Sequence, residues 1–346
     1  MKLGLTLGYW GAGPPTDALE RILEAERLGF DAVFTAESWG SDAFGPLAWW
    51  GSQTSTIRLG TSIVQISART PTSCAMHALT LDHLSGGRFV LGLGVSGPQV
   101  VEGWYGGPFG KPLARTREYV DVIRQVLARQ GPVTSAGPHH PLPFEGPGSL
   151  GLGKALKPIT HPLRSDLPIL LGAEGPRNVA LAAEIADGWL PIYYSPKAGA
   201  MYDGWLDEGF ARRAQPGRPA AFEIAANCSV VITDDVDATL DAMRPTFGFY
   251  IGGMGARDMN FHKQVFARMG YEAEADKIQD LFFEGRRDDA IAAVPRSMIA
   301  DISLVGTVDQ IRDDLARWEA AGVTMLVVGT RDLTELRRIA EVVLDR

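Results

Sequence analysis

The stretch Phe89-Val90-Leu91-Gly92-Leu93-Gly94-Val95-Ser96-Gly97-Pro98-Gln99-Val100-Val101-Glu102-Gly103-Trp104-Tyr105 decides how this chain is read. Phe89 to Leu93 is a short apolar run of the kind that forms a buried parallel strand. It breaks into glycines at Gly92, Gly94 and Gly97. Glycines at a strand's carboxyl end let backbone approach a flat ligand, and in parallel α/β proteins ligands bind at that end. The glycines fit G-x-G-x-x-G in form only. Pro98 follows the third, the run falls in the fourth strand candidate, and no acidic residue ends a second strand at the expected distance. The stretch therefore predicts a ligand-binding α/β protein without the dinucleotide fingerprint.

Outward from this stretch, strand and helix patterns alternate. Strands are predicted at 2–7, 32–35, 57–63, 88–93, 167–171, 188–191, 222–232 and 325–329. Helices are predicted at 16–28, 44–54, 72–84, 113–129, 177–186, 196–213, 308–321 and 333–344. Eight strands, each followed by a helix, favour a closed α/β barrel of the (β/α)8 TIM type over an open doubly wound sheet. Two stretches break the rhythm. Residues 131–166 are rich in Pro, Gly and His and lack periodicity, which is the character of a lid or binding loop. Residues 247–301 hold a glycine cluster and two or three helical stretches. Both are expected to be insertions into one domain spanning 1–346.

A net charge of −8 argues against a nucleic-acid partner. No apolar run approaches the ~20 residues that span a bilayer, and Met1-Lys2 leads directly into the first strand pattern, so a cytoplasmic location is expected. The cysteines, Cys74 and Cys228, are too few for a disulfide framework or a zinc site. The six histidines show no metal-ligand spacing.

Candidate site residues sit where strands end. Glu37 follows the second strand, either as a loop acid or as a functional carboxylate. Gln65 and Ser67 interrupt an apolar run after the third. Ala173-Glu174-Gly175-Pro176-Arg177 opens a helix, and its free N–H groups form an anion site. Arg177 in that first turn opposes the helix dipole, so it calls for a partner: a phosphate, or else Glu174 or Asp187. No nucleophile elbow or metal cluster accompanies these residues, which suggests that a cofactor carries the chemistry.

These residues resemble the bacterial-luciferase-like flavin and deazaflavin oxidoreductases over nearly the whole chain. The shared motifs are Gly29-Phe30-Asp31-Ala32-Val33-Phe34, Thr54-x-x-Ile57-Arg58-Leu59-Gly60-Thr61 and Leu81-Asp82-x-Leu84-Ser85-Gly86-Gly87-Arg88-Phe89. The Gly94–Gln99 and Gly172–Arg177 runs look more like the branch using coenzyme F420, akin to methylenetetrahydromethanopterin reductase and F420-dependent glucose-6-phosphate dehydrogenase. The resemblance implies hydride transfer between deazaflavin C5 and a small organic substrate. The alternatives are an FMN-dependent monooxygenase and a non-catalytic flavin-binding protein. It further implies that Glu37 touches the ring, that Ser62-Ile63 forms a non-prolyl cis peptide beneath it, and that Val95, Ser96 and Gly97 contact the ring and its side chain. Ala173, Glu174, Gly175 and Arg177 match the phosphate region, with Tyr194 and Lys197 where another phosphate contact falls. Glu37 and Glu102 are the candidate proton carriers, Trp39, Trp104 and Tyr105 shape the substrate side, and a homodimer is expected. Where sugar-phosphate dehydrogenases of this family carry His and Glu, this chain has Ser38 and Pro98. That departure argues against glucose 6-phosphate as substrate.

Overall fold

The computed structural model describes residues 1–345. Its strands are β1 (Lys2–Gly8), β2 (Ala32–Thr35), β3 (Arg58–Thr61), β4 (Val64–Gln65), β5 (Phe89–Gly94), β6 (Ile169–Gly172), β7 (Gly188–Leu190), β8 (Glu223–Asn227), β9 (Ser229–Ile232), β10 (Ser303–Gly306) and β11 (Met325–Val328). Every pairing between them is parallel. β1 pairs with both β2 and β11, β11 returns to β8, and β3 and β4 both reach β5. The sheet therefore closes on itself as an eight-stranded barrel, with β3 and β4 together forming the third strand.

Period-two alternation explains what fills it. Phe34, Val90, Leu170, Leu190, Ala225, Met325 and Val327 form the interior cluster. Their neighbours in sequence, among them Leu3, Leu5, Val33, Leu91, Ile169 and Leu326, pack outward against the helices. Two glycines of the decisive stretch belong to this packing. A Cβ on Gly92 would collide with the Thr61 carbonyl oxygen, and one on Gly94 would lie 2.8 Å from Ile63 Cδ1. Both are thus demanded by strand against strand and not by ligand approach.

Helices stop and start where the sequence directs. Thr70 accepts from Ser73 N at 3.2 Å ahead of Pro71, capping helix 71–84. Thr307 and Gln310 form a capping box for helix 308–320.

Three features differ from expectation. The seventh predicted strand breaks at Cys228: β8 stays in the barrel, while β9 leaves it to pair with β10, a strand the sequence reading did not find. The second excursion begins with a helix at Val236, ahead of the expected boundary at 247, and its helices bury their own core around Leu240, Phe247, Ile251, Phe266 and Ile278. Finally, residues 131–166 do not cover the barrel mouth. They run along its flank, where Val133 N bonds Leu156 O at 2.9 Å, Arg129 Nε bonds Pro158 O at 2.9 Å, and Arg164 bonds Asp82 at 2.8 Å and the Phe89 carbonyl at 2.7 Å.

Candidate active site

The mouth is the end at which the strands finish, and the second excursion overlies it. Its residues touch the loops after four strands. Phe261 stacks on Phe109 after β5 with ring centroids 6.2 Å apart. His262 meets Glu174 after β6. Tyr193, after β7, packs against Phe247, Tyr250, His262 and Phe266. Tyr250 hydrogen-bonds Tyr9 after β1. The cover expected from residues 131–166 is provided by this second excursion instead.

Beneath it, the third strand is interrupted as the resemblance implied: the Ser62–Ile63 peptide is cis. The Ile63 side chain rises between β5 and β6, within contact of Gly94 and Gly172. Immediately after β5, Ser96 holds φ +59°, a left-handed conformation unusual for a residue with a Cβ. Gly97 differs from it. Its φ of −111° suits any residue, and an added Cβ would meet only the Gln99 amide oxygen at 3.1 Å. The protein itself does not need glycine there.

Glu37 is locked. Its Oε1 accepts from Gln65 N at 2.8 Å and Arg69 Nη1 at 3.0 Å, and its Oε2 accepts from Arg69 Nη2 at 3.0 Å. The side chain is 2% exposed. Burial opposes the Arg69 charge, but the Glu37 carboxylate outweighs burial and raises the guanidinium above its ordinary value. With both oxygens engaged, Glu37 ties the end of β2 to β4 and is no free proton carrier. Glu102 is exposed and accepts from Phe109 N at 3.3 Å, so it braces its own loop. Trp39 and Trp104 stand exposed, and the Tyr105 hydroxyl donates to the Ser38 carbonyl at 3.2 Å.

On the β6 side, Gly175 caps helix 176–185 in extended conformation without a side-chain cap bond. Arg177 in its first turn is exposed and makes no ion pair among the described residues. The alternative partners weighed for it are taken: Asp187 pairs with Arg124 at 2.5 Å, and Glu174 faces His262. Ala173 is buried, its carbonyl accepting from Trp189 Nε1 at 2.8 Å. Two residues expected beside a phosphate point elsewhere. Tyr194 is fully buried among Trp189, Tyr202 and Trp318 and donates to the Ala321 carbonyl, while Lys197 pairs with Asp301. Their sequence position near β7 is right, but their side chains leave the mouth.

His262 and its aromatic neighbours escaped the sequence reading because they arrive from an excursion whose packing has no periodic signal. Among the described residues no group of three or more His, Cys, Asp or Glu side chains has the arrangement to hold a metal ion. Burial raises the Cys74 thiol to about 12, so it is an inert core residue. Two cavities, of about 630 and 600 Å³, lie on the flank around helix 71–84, the second reaching Asp42 and Arg69.

The model of the family described as luciferase-like monooxygenase matches residues 5–325. A protein of Mycobacterium tuberculosis, described provisionally as a coenzyme F420-dependent oxidoreductase, is 61% identical over 343 residues, covering 99% of each chain. The 5,10-methylenetetrahydromethanopterin reductase of Archaeoglobus fulgidus is 29% identical over 88% of this chain and 87% of its own. The structure of the F420-dependent tetrahydromethanopterin reductase from Methanopyrus kandleri superposes with a TM-score of 0.78 at 27% identity, over 99% of this chain and 96% of that one.

Proposed function

The chain belongs to the luciferase-like monooxygenase family, and we propose that within it the protein is a coenzyme F420-dependent oxidoreductase acting on a small organic substrate. The observation that carries this reading is the open helix terminus at Gly175, with Arg177 unpaired beside it. An anionic phosphate supplies the charge that Arg177 lacks in the protein, and the N–H groups of Arg177 and Asn178 add to the cradle. The near-full-length likeness to the Mycobacterium tuberculosis oxidoreductase supports the same cofactor.

The residues present fit such a group. Ser62, Ile63, Val95, Ser96 and Gly97 would hold the flat ring from beneath and from the β5 side, and Ala173, Gly175 and Arg177 would border the tail, with the Glu174 side chain turned to His262. When bound, reduced F420 supplies a hydride from its ring carbon C5. The protein's part is to stack that ring, present one face and exclude water. The excursion over the mouth, through Phe261, His262 and Tyr250, does the excluding. Glu37 fixes the β2–β4 edge through Arg69.

The chain is one domain in this reading, with its two excursions serving different faces. On the flank, Met76 and Leu84 of helix 71–84 and Leu156 and Ile159 of the first excursion are exposed, and Met76 and Thr80 line both flank cavities. So large an apolar face suits a second copy of the chain, giving a homodimer. No helix among the described residues is long and apolar enough to cross a membrane, and we place the protein in the cytoplasm. Ser38 and Pro98 stand where the sugar-phosphate dehydrogenases carry their His and Glu, so glucose 6-phosphate should give negligible F420 reduction. Robust turnover of that sugar would break this part of the reading. Titration with F420 and with FMN tests the cofactor itself, since preference for FMN would favour the monooxygenase reading.

A further inference from the structure

His262 and Glu174 form an incomplete pair at the mouth. His262 Nδ1 lies 2.9 Å from Glu174 Oε1, an ion-pair distance without the angle of a formed hydrogen bond. Glu174 Oε2 is buried with no partner, and each side chain is 19% exposed. His262 Nε2 makes no hydrogen bond among the described residues. Besides Glu174 the ring meets aromatic neighbours, Tyr250 at 5.2 Å and Tyr193 at 5.8 Å between centroids. A half-satisfied polar pair in an apolar surround calls for an explanation. A carboxylate at Nδ1 orients an imidazole and leaves Nε2 to exchange a proton. No other acid at this mouth is so placed, since both Glu37 oxygens are bonded and Glu102 is exposed.

We propose that His262 is the catalytic proton donor and acceptor of this enzyme, with Glu174 as its positioning residue, and that the substrate is a carbonyl compound or the corresponding alcohol. The inference rests on the F420 reading. In the reducing direction, a hydride bonds to the carbonyl carbon as the carbon–oxygen π bond opens. The oxygen takes the Nε2 proton of the imidazolium, leaving an alcohol and a neutral imidazole. In the oxidising direction the neutral imidazole takes the hydroxyl proton as the hydride leaves carbon for oxidised F420. The groups facing His262 are Glu174 from the β6 loop, Tyr193 from the β7 loop, and Tyr250 with Tyr9 behind it. Burial, aided by Tyr9 and Glu174, pushes Tyr250 up to about 12, and burial raises Tyr193 well above its ordinary value. Both tyrosines thus stay protonated through the neutral range.

The test uses the full chain, reduced F420, and acetone and 2-cyclohexen-1-one as acceptors. F420 dissociation constants come from fluorescence, single-turnover oxidation of reduced F420 is followed across pH, and nitrogen-15 NMR of the F420-free protein reads the imidazole tautomer. His262→Gln should bind F420 within twofold of wild type, lose roughly 10²- to 10⁴-fold in single-turnover rate and lose one limb of the pH profile. Glu174→Gln should convert a ring protonated at Nδ1 into a mixture of tautomers and slow turnover about tenfold, and Glu174→Asp should restore part of both. If His262→Gln binds F420 yet keeps the wild-type rate and profile, the proposal is overturned. It is also overturned if wild type binds reduced F420 and passes hydride to neither acceptor. Failure of wild type to bind F420 at all would instead remove the cofactor reading on which this rests.

Discussion

At the base of the barrel, where strands begin, four charges complete one another; at the mouth, where strands end, two polar groups meet and one stays unfinished. The base cluster joins Lys2 at the start of β1, Asp31 just before β2, Arg58 opening β3 and Glu223 opening β8. Lys2 Nζ bonds Glu223 Oε1 at 2.7 Å, Arg58 Nε bonds Asp31 Oδ2 at 2.6 Å, and Arg58 Nη1 bonds Glu223 Oε2 at 3.1 Å. Burial alone would raise the Glu223 carboxyl and lower the Arg58 guanidinium, but the ion pairs outweigh it in both, so Glu223 is lowered and Arg58 raised. Beside β6 the mouth has no such closure: Glu37 is satisfied by Arg69 on the β2–β4 side, but Glu174 Oε2 is unpartnered and Arg177 unpaired. The difference teaches where the molecule expects company. Barrels separate stability at one end from chemistry at the other, and here the separation can be read from which polar atoms are satisfied.

The sharpest way to break that contrast is a substitution on the stability side that lies within the glycine stretch. Gly92→Val places a side chain against the Thr61 carbonyl and Leu190 and should prevent folding, as seen by loss of the cooperative thermal transition. Gly97→Val, five residues on, should keep the fold by circular dichroism and lose F420 binding. Equal behaviour of the two variants would erase the distinction between packing glycines and ligand glycines.

Arg177→Ala comes next. It should weaken F420 binding by about 1.5–3 kcal/mol, the scale of a charge-assisted hydrogen bond, with an unchanged melting temperature. An unaltered dissociation constant would make Arg177 an ordinary surface residue. Glu223→Gln should do the opposite, costing about 1–2 kcal/mol of stability and leaving F420 binding alone. Because the folded-state pKa of Glu223 lies below its ordinary value of 4.5, its contribution is complete above that pH and fades as pH falls through the lowered value. Melting temperature measured from pH 6 downward should therefore drop more steeply in wild type than in the variant, and parallel curves would deny the linkage. Smallest is Ser96→Gly. Relief of the left-handed cost is offset by greater unfolded freedom, so stability should change by less than about 1 kcal/mol, while F420 binding weakens with the lost side chain. A rise in affinity would show that the Ser96 side chain obstructs the ring.

Much of this architecture was legible in the chain because barrel strands buried on both faces are short apolar runs with helices between them. β2 and helix 333–344 fall on the predicted residues, and the cis bond at Ser62–Ile63 is the one the family resemblance implied. What escaped had a physical reason. The run through 222–232 changes partner at Cys228, where Asn227 and Ser229 supply a turn signal too short to end a strand pattern on its own. The loop from 131 to 166 has the composition of a lid, yet Arg164, bonded to Asp82 and Phe89, and Arg129, bonded to the Pro158 carbonyl, moor it to the flank through long-range bonds that composition does not encode. Glu37 was visible as an acid at a strand end, whereas its capture by Arg69, thirty-two residues on, was not. His262 reaches the mouth only through the packing of the second excursion.

The central claim is that this mouth is built for the deazaflavin F420. Titration of the purified protein with F420 and with FMN, followed by fluorescence, tests it most directly. The account predicts that F420 binds at least tenfold more tightly, a gap of about 1.4 kcal/mol. Equal affinity, or a preference for FMN, would contradict it.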